Sequence, residues 1–424
     1  MSYPFGVKRT ILYGAVLLLV AIYFLQMATP LRLHPDTVVL LSVAETAAHG
    51  GGYLYHGQPT VFPPGYPMLL AFLIRANLAH LWVIVGLNVV FVAIGLSAVC
   101  YIFRLDKFSE AALLGVCILS LLSFVFIKYS AIPLTDPIFF GVSMCCLALM
   151  RKQAAEFSWR RLMGSAILVI TSICIRRIGI ALIPAFLYML LSHPVARHFM
   201  RLSARMKAAI IPIAAAAGGV LIWVIASTLT LADFRSVLAG RTLIDSVHMV
   251  LAFRLKELGE TAVNLPFYVV PLALRGILPM VGTLALALVF AGVWWRKPFG
   301  IVETYFISYV AIILMWPFYD PRFWLPVIPF LIVYAGLALR KLIQRKLVMQ
   351  IVECYVMLVA LIGLLTIHSF TALSFAGAKF GDACTGQYHS TYCAVWRCQD
   401  LDSSKIDADA LHLLRYYQRN SGPE

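Results

Sequence analysis

Charge is what this sequence has least of. Asp, Glu, Lys and Arg together make up 12% of 424 residues, against 62% hydrophobic residues, and the mean hydropathy is +0.88. A folded surface in water needs far more charge than this, so a water-soluble globule is excluded and the bilayer must be the solvent. Also missing are internal repeats, heptads and low-complexity tracts. No G-x-x-x-x-G-K-[ST] or G-x-G-x-x-G stretch occurs either, so a phosphate-cradling nucleotide loop on the cytoplasmic side has no basis. No small-x-small cleavage site follows the first apolar run, which therefore reads as an anchor and not a removed signal peptide. No His, Cys, Asp and Glu cluster shows metal-ligand spacing, and neither a metal nor any other cofactor is expected.

Among the charges present, the basic excess of +15 lies in short clusters between apolar runs, with no single stripe. That pattern marks cytoplasmic loops beside anionic headgroups and argues against a nucleic-acid partner. Apolar runs over residues 11–27, 81–103, 111–127, 137–150, 208–229, 276–295, 302–318, 323–339 and 351–367 read as spans. Residues 162–191, interrupted by Arg176 and Arg177, read as two short helices meeting near the outer face. With the N-terminus inside, the total is about eleven transmembrane helices. The clusters at Arg104 and Lys107, at Arg151 to Arg161, at Arg197 to Lys207, at Arg296 and Lys297, and at Arg340 to Lys346 then all fall on the cytoplasmic side.

The expected organisation is an all-α integral membrane domain over residues 1–367, with a long first extracytoplasmic loop (29–77) and a second (232–275) of interfacial helices. A small extracytoplasmic tail (368–424) follows. This tail is nearly charge-balanced, five Lys/Arg against six Asp/Glu, and carries Cys384, Cys393 and Cys398 of the nine cysteines. Outside the cytoplasm a disulfide among the three is permitted, with one thiol left over and the pairing open. The other six read as small buried hydrophobes.

The first outer loop is not a passive connector. It runs His34, Pro35, Asp36, an apolar helical stretch, Gly50 to Gly52, Tyr53, and then the stiff Phe62-Pro63-Pro64-Gly65-Tyr66-Pro67. Asp36 precedes a helix and so suits an N-cap, while the same rigid placement suits a general base. Asp136, also at a helix start, is a second catalytic candidate, to orient the acceptor or pair an arginine, with an N-cap as the competing reading. Arg176, Arg177, Arg322 and Lys128 are candidates to hold an anion at the membrane surface, because charge near hydrocarbon is rarely kept without a partner. The competing reading is snorkelling, or pairing with Asp136 and Asp320. Tyr53, Tyr66 and Tyr319, with His34, are candidates to contact a substrate, although interfacial aromatic belts account for many such tyrosines.

The order of Asp36, the helix end from Ala44 to Gly51, and the F-P-P-G-Y-P of Phe62 to Pro67 resembles the start of the family C (GT-C) glycosyltransferases. The similarity is to the branch containing protein O-mannosyltransferases and the lipid A aminoarabinose transferase. Thr135-Asp136-Pro137, Arg176-Arg177-Ile178-Gly179 and Pro321-Arg322-Phe323-Trp324-Leu325-Pro326 fit the same pattern. The mannosyltransferases carry an Asp-Glu pair where Asp36 is followed here by Thr37. The resemblance implies transfer of a sugar from a polyprenyl-phosphate carrier to an acceptor hydroxyl of a glycan, lipid or protein, with inversion, at the outer face of a bacterial inner membrane. It implies Asp36 as base and arginines on the departing phosphate. The alternatives are a secondary transporter or flippase of lipid-linked saccharide, whose paired repeats are not visible, and an O-antigen ligase or polymerase, whose large loop usually comes late in the chain.

Overall fold

The computed structural model describes residues 5–192, 239–296, 298–343, 345–384, 386–398 and 401–419. The expected span 208–229 and the basic cluster Arg197 to Lys207 lie outside them, as does Lys297. The described chain is an all-helical membrane protein, and its only strands are the two-residue pair β1 (Leu54–Tyr55) and β2 (Gln58–Pro59).

The chain enters through α1 (Phe5–Leu25), then the first outer loop forms α2 (Pro35–Ala48), the small hairpin and α3 (Gly65–Arg75). Next come α4 (Leu81–Leu105), α5 (Glu110–Leu121), α6 (Phe124–Ser130), α7 (Thr135–Ala155), α8 (Trp159–Ile175) and α9 (Leu182–Leu191). The second half contributes α10 (Leu243–Val263), α11 (Leu278–Trp295), α12 (Ile301–Leu314), α13 (Ile328–Leu342) and α14 (Lys346–Ser374). The tail adds α15 (His389–Trp396) and α16 (Ala408–Arg419).

Among the described residues six helices are long and apolar enough to cross a membrane, or seven if α5 and α6 count as one span bent by 59°. The expected span 302–318 ends early, at Leu314, because Pro317 pushes the residue before it out of the α region. The interrupted segment at Arg176 does break: that residue is extended, with φ −153° and ψ 130°, between α8 and a 3-10 turn leading into α9. Within the described part of 232–275, expected to hold interfacial helices, the structure shows the 21-residue α10 and a single helical turn, Leu272–Arg275. The longer helix, α10, runs antiparallel to α11 in backbone contact, Gly259 against Leu278 and Gly282 against Leu255. Small residues at the crossing let the two backbones meet, as membrane helices favour.

The α5–α6 bend exposes backbone groups that hydrocarbon cannot satisfy. Asn264, at the left-handed end of α10 with φ +60°, supplies them. Its Oδ1 accepts the Phe124 N–H at 2.7 Å, while its amide donates to Leu122 O at 2.9 Å and Val359 O at 3.0 Å. Asn264→Ala is expected to cost about 3 kcal/mol or more, since each stranded buried group costs about 1–3 kcal/mol. Thermal unfolding in detergent checks this, and an unchanged midpoint would remove Asn264 from that role.

At one end of the bundle Arg151 meets Asp106 at 2.5 Å, Arg296 pairs with Asp106 and with Glu303 at 2.9 Å, and Tyr334 donates to Glu303 at 3.1 Å. This basic end ties together α4, α7, α11, α12 and α13. Asp136 lies fifteen residues before Arg151 on α7, or about 22 Å along the axis, so the features around it belong to the opposite end.

The tail packs on the first outer loop. Arg32 donates to Phe370 O at 2.8 Å and Ser374 Oγ at 3.0 Å, and Tyr392 Oη accepts the Leu33 N–H at 2.6 Å. His56 and Tyr55 both reach Asp409, at 2.7 and 2.8 Å, and His412 reaches Glu45 at 3.0 Å. Of the three tail cysteines, Cys393 and Cys398 form a disulfide and Cys384 is free.

Candidate functional site

At the end opposite the basic cluster, the first outer loop, the α7 start, the α8–α9 break and the segment after α12 enclose a cavity of about 330 Å³. Asp36, Arg176, Arg177, Asp320 and Arg322 line it, beside an aromatic wall that includes Phe62, Trp316, Phe318, Tyr319 and Phe323.

Neither helix-start acid caps its helix. His34 is the N-cap of α2, its Nδ1 accepting the Asp36 N–H at 3.2 Å, with Pro35 at the first helical position. That leaves the Asp36 carboxylate free to leave its own helix, and its Oδ2 pairs with Arg322. At α7 the N-cap position is Leu134 and no side chain caps. Asp136, fully buried, pairs with Arg176 instead and lies 3.9 Å from Arg322.

Arg322 is thus the centre of a charge cluster contributed by four stretches of chain. It is 7% exposed and touches Asp36, Asp136 and, at 2.7 Å, Asp320. Asp320 caps the 3-10 turn Pro321–Val327 by accepting the Arg322 N–H at 3.1 Å. It also accepts from Tyr129 Oη at 2.9 Å and meets His34 at 3.3 Å. Burial pushes the Asp320 carboxyl up, but Arg322 and His34 outweigh it and hold the group well below the usual carboxylate range.

The proline-rich stretch forms the cavity's outer lip. Tyr53 Oη donates to the carbonyls of Phe62 (2.9 Å) and Pro63 (3.0 Å), and Arg177 donates to Val61 O. Gly65 lets this lip press on the α8 end: a Cβ there would stand 2.7 Å from the Cys174 carbonyl oxygen. Gly65→Ala is expected to cost about 1–3 kcal/mol, as overpacking does, and to displace Phe62 and Pro63. The check is a lowered unfolding midpoint together with weaker ligand binding in the cavity.

The structure gathers most of the sequence-derived candidates, but not all. Asp36, Arg176, Arg177, Arg322 and Tyr319 line the cavity, with Asp136 directly behind it and His34 bonded to Asp320. Tyr53 braces the lip. Tyr66 is core, 2% exposed. Lys128 lies over the Tyr129 and Tyr268 rings, at 5.0 and 5.8 Å, and is not in the cavity lining. Sequence reasoning treated Asp320 only as a partner for an arginine, and did not single out Arg254 or Glu257 of α10. The available signal for those two was an Arg–Glu pair three residues apart within a moderately apolar helix.

Fold and site together define a multi-pass, all-helical membrane protein with a carboxylate–guanidinium cavity at the end of the bundle opposite its basic cluster. No protein-family model matches the chain, and no curated protein does. The chain is similar to two solved structures of ArnT from Cupriavidus metallidurans. With ArnT bound to undecaprenyl phosphate the identity is 14%, over 96% of this chain and 74% of that one, with a TM-score of 0.46. With apo ArnT the identity is 16%, over 91% and 68%, with a TM-score of 0.47. A likeness of this size does not fix an activity.

Proposed function

We propose that this protein is a family C glycosyltransferase that moves a sugar from a polyprenyl-phosphate carrier to an acceptor hydroxyl at the outer face of a bacterial inner membrane. The observation that carries the reading is the meeting of Asp36 with Arg176, Arg177 and Arg322 in one aromatic-walled cavity. An anionic leaving group needs cations, a hydroxyl nucleophile needs a base, and a sugar ring needs apolar faces to lie against. The cavity end lies opposite the Arg151–Asp106–Arg296 cluster, which the positive-inside rule assigns to the cytoplasm.

In the proposed step the acceptor oxygen attacks the anomeric carbon and forms the new C–O bond as the bond to the phosphate oxygen breaks. The electron pair leaves with the polyprenyl phosphate, and the acceptor proton passes to Asp36. Arg177, at the lip, and Arg322 take the phosphate, while Asp136 acts from behind by orienting Arg176. The lipid-linked sugar is a co-substrate, and no cofactor enters the step.

The test uses the full chain in lipid vesicles with radiolabelled polyprenyl-phosphate sugars, followed by extraction of lipid, glycan and protein fractions. Label transferred to one fraction supports the reading and identifies the acceptor class. Label that crosses the bilayer still attached to its carrier, with no transfer, would overturn it in favour of a transporter.

A further inference from the structure

Two fully buried charges, Arg254 and Glu257 on α10, take no part in the chemistry above. They stand one turn apart, paired at 2.8 Å, and both engage the segment between α12 and α13. Arg254 donates to the Phe318 carbonyl. Glu257 accepts the Asp320 backbone N–H at 2.6 Å on Oε1 and the Trp324 indole N–H at 2.9 Å on Oε2. Phe318, Tyr319, Asp320, Arg322 and Phe323 of that segment form one wall of the cavity.

This segment is irregular backbone held among packed helices, so its polar groups need partners. Apolar packing would supply stability at least as well as a buried ion pair, whose desolvation cost is high. What the pair supplies instead is placement. A carboxylate only accepts, so both oxygens of Glu257 can face N–H donors, and those donors flank Arg322 on either side.

We propose that Glu257 is a positioning residue that sets the Arg322 guanidinium at the cavity through the backbone of Asp320 and the indole of Trp324. Only the identity of the ligand that Arg322 holds rests on the function proposed above. Glu257→Gln keeps the shape but turns an NH₂ toward one of the donors. A displacement of about 1 Å at a substrate-holding group costs up to about 100-fold. The phosphate gains charge as its bond to the sugar breaks, so displacing Arg322 weakens the transition state more than the bound donor and falls on kcat more than on KM.

The experiment compares full-length wild type, Glu257→Gln, and the double variant Arg254→Met with Glu257→Met. Hydrogen exchange is followed across residues 318–325, with thermal unfolding and donor kinetics alongside. In Glu257→Gln the Asp320 amide is expected to exchange at least about 10-fold faster while α12 is unchanged, and kcat to fall about 10-fold with KM for the lipid-linked donor within about 3-fold. The double variant, which strands the Phe318 carbonyl, the Asp320 amide and the Trp324 indole together, is expected to unfold at a lower temperature and to keep the fast exchange and the lowered kcat. Wild-type protection and kcat in Glu257→Gln, or their recovery in the double variant, would overturn the proposal. Should the wild type transfer no sugar, the exchange result still decides Glu257 while the function itself is rejected.

Discussion

Asp36→Asn is expected to lower sugar transfer by about 10²- to 10⁴-fold, the usual worth of a positioned general base, with the bundle intact. The substitution is close to isosteric, and the asparagine carbonyl still accepts from Arg322. The start of α2 does not depend on the carboxylate, because His34 fills the N-cap position and Pro35 opens the helix. Asp136 and Asp320 remain to balance Arg322. Folding and chemistry are therefore separable at this residue. Initial rates with saturating donor, set against thermal unfolding of the same preparation, provide the check. A variant that unfolds as wild type and transfers at the wild-type rate would remove Asp36 from the proton-accepting role.

Arg322→Met is expected to act on both stability and activity. It strands Asp36 together with the largely buried Asp136 and Asp320, leaving Arg176, His34 and Tyr129 as their nearby partners. Removing one partner of a buried charge cluster typically costs about 3–5 kcal/mol. The unfolding midpoint should fall accordingly, and transfer should be lost with it. Adding Asp36→Asn removes one stranded charge, so the double variant should recover part of that stability, a coupling of about 1 kcal/mol or more for groups in contact. Arg322→Lys should restore stability better than transfer, since an ammonium keeps the charge but lacks the planar fork that reaches three carboxylates. Additive effects of Arg322→Met and Asp36→Asn would show that the two residues do not share an interaction.

Much of the site was legible because each part sits in a locally distinctive stretch. An acid before an apolar helix, a proline-rich turn and arginines interrupting apolar runs each break a local rule, and rule-breaking charge near hydrocarbon costs too much to be incidental. What each charge touches was not legible. Asp36 and Asp136 both looked like caps, and only the packed structure shows them leaving their helices for arginines 286 and 40 residues away. Lys128 stood beside the arginines as a candidate for the anion, yet α6 sets it over the Tyr129 and Tyr268 rings. The Arg254–Glu257 pair lies in a stretch read as interfacial, where charges would be solvated, and its burial depends on α10 lying against α11 and the segment after α12.

The amino-acid sequence by itself determined the solvent and the class. With so little charge and apolar runs this long, the backbone can satisfy its polar groups only as helices in lipid. Apolar helix length and basic loops are local properties, written in consecutive residues. Only the tertiary structure decided which charges neutralise one another, where the long helices bend, and which aromatic side chains wall the cavity. Those outcomes depend on distances between residues hundreds of positions apart, which helix packing sets and local periodicity does not encode.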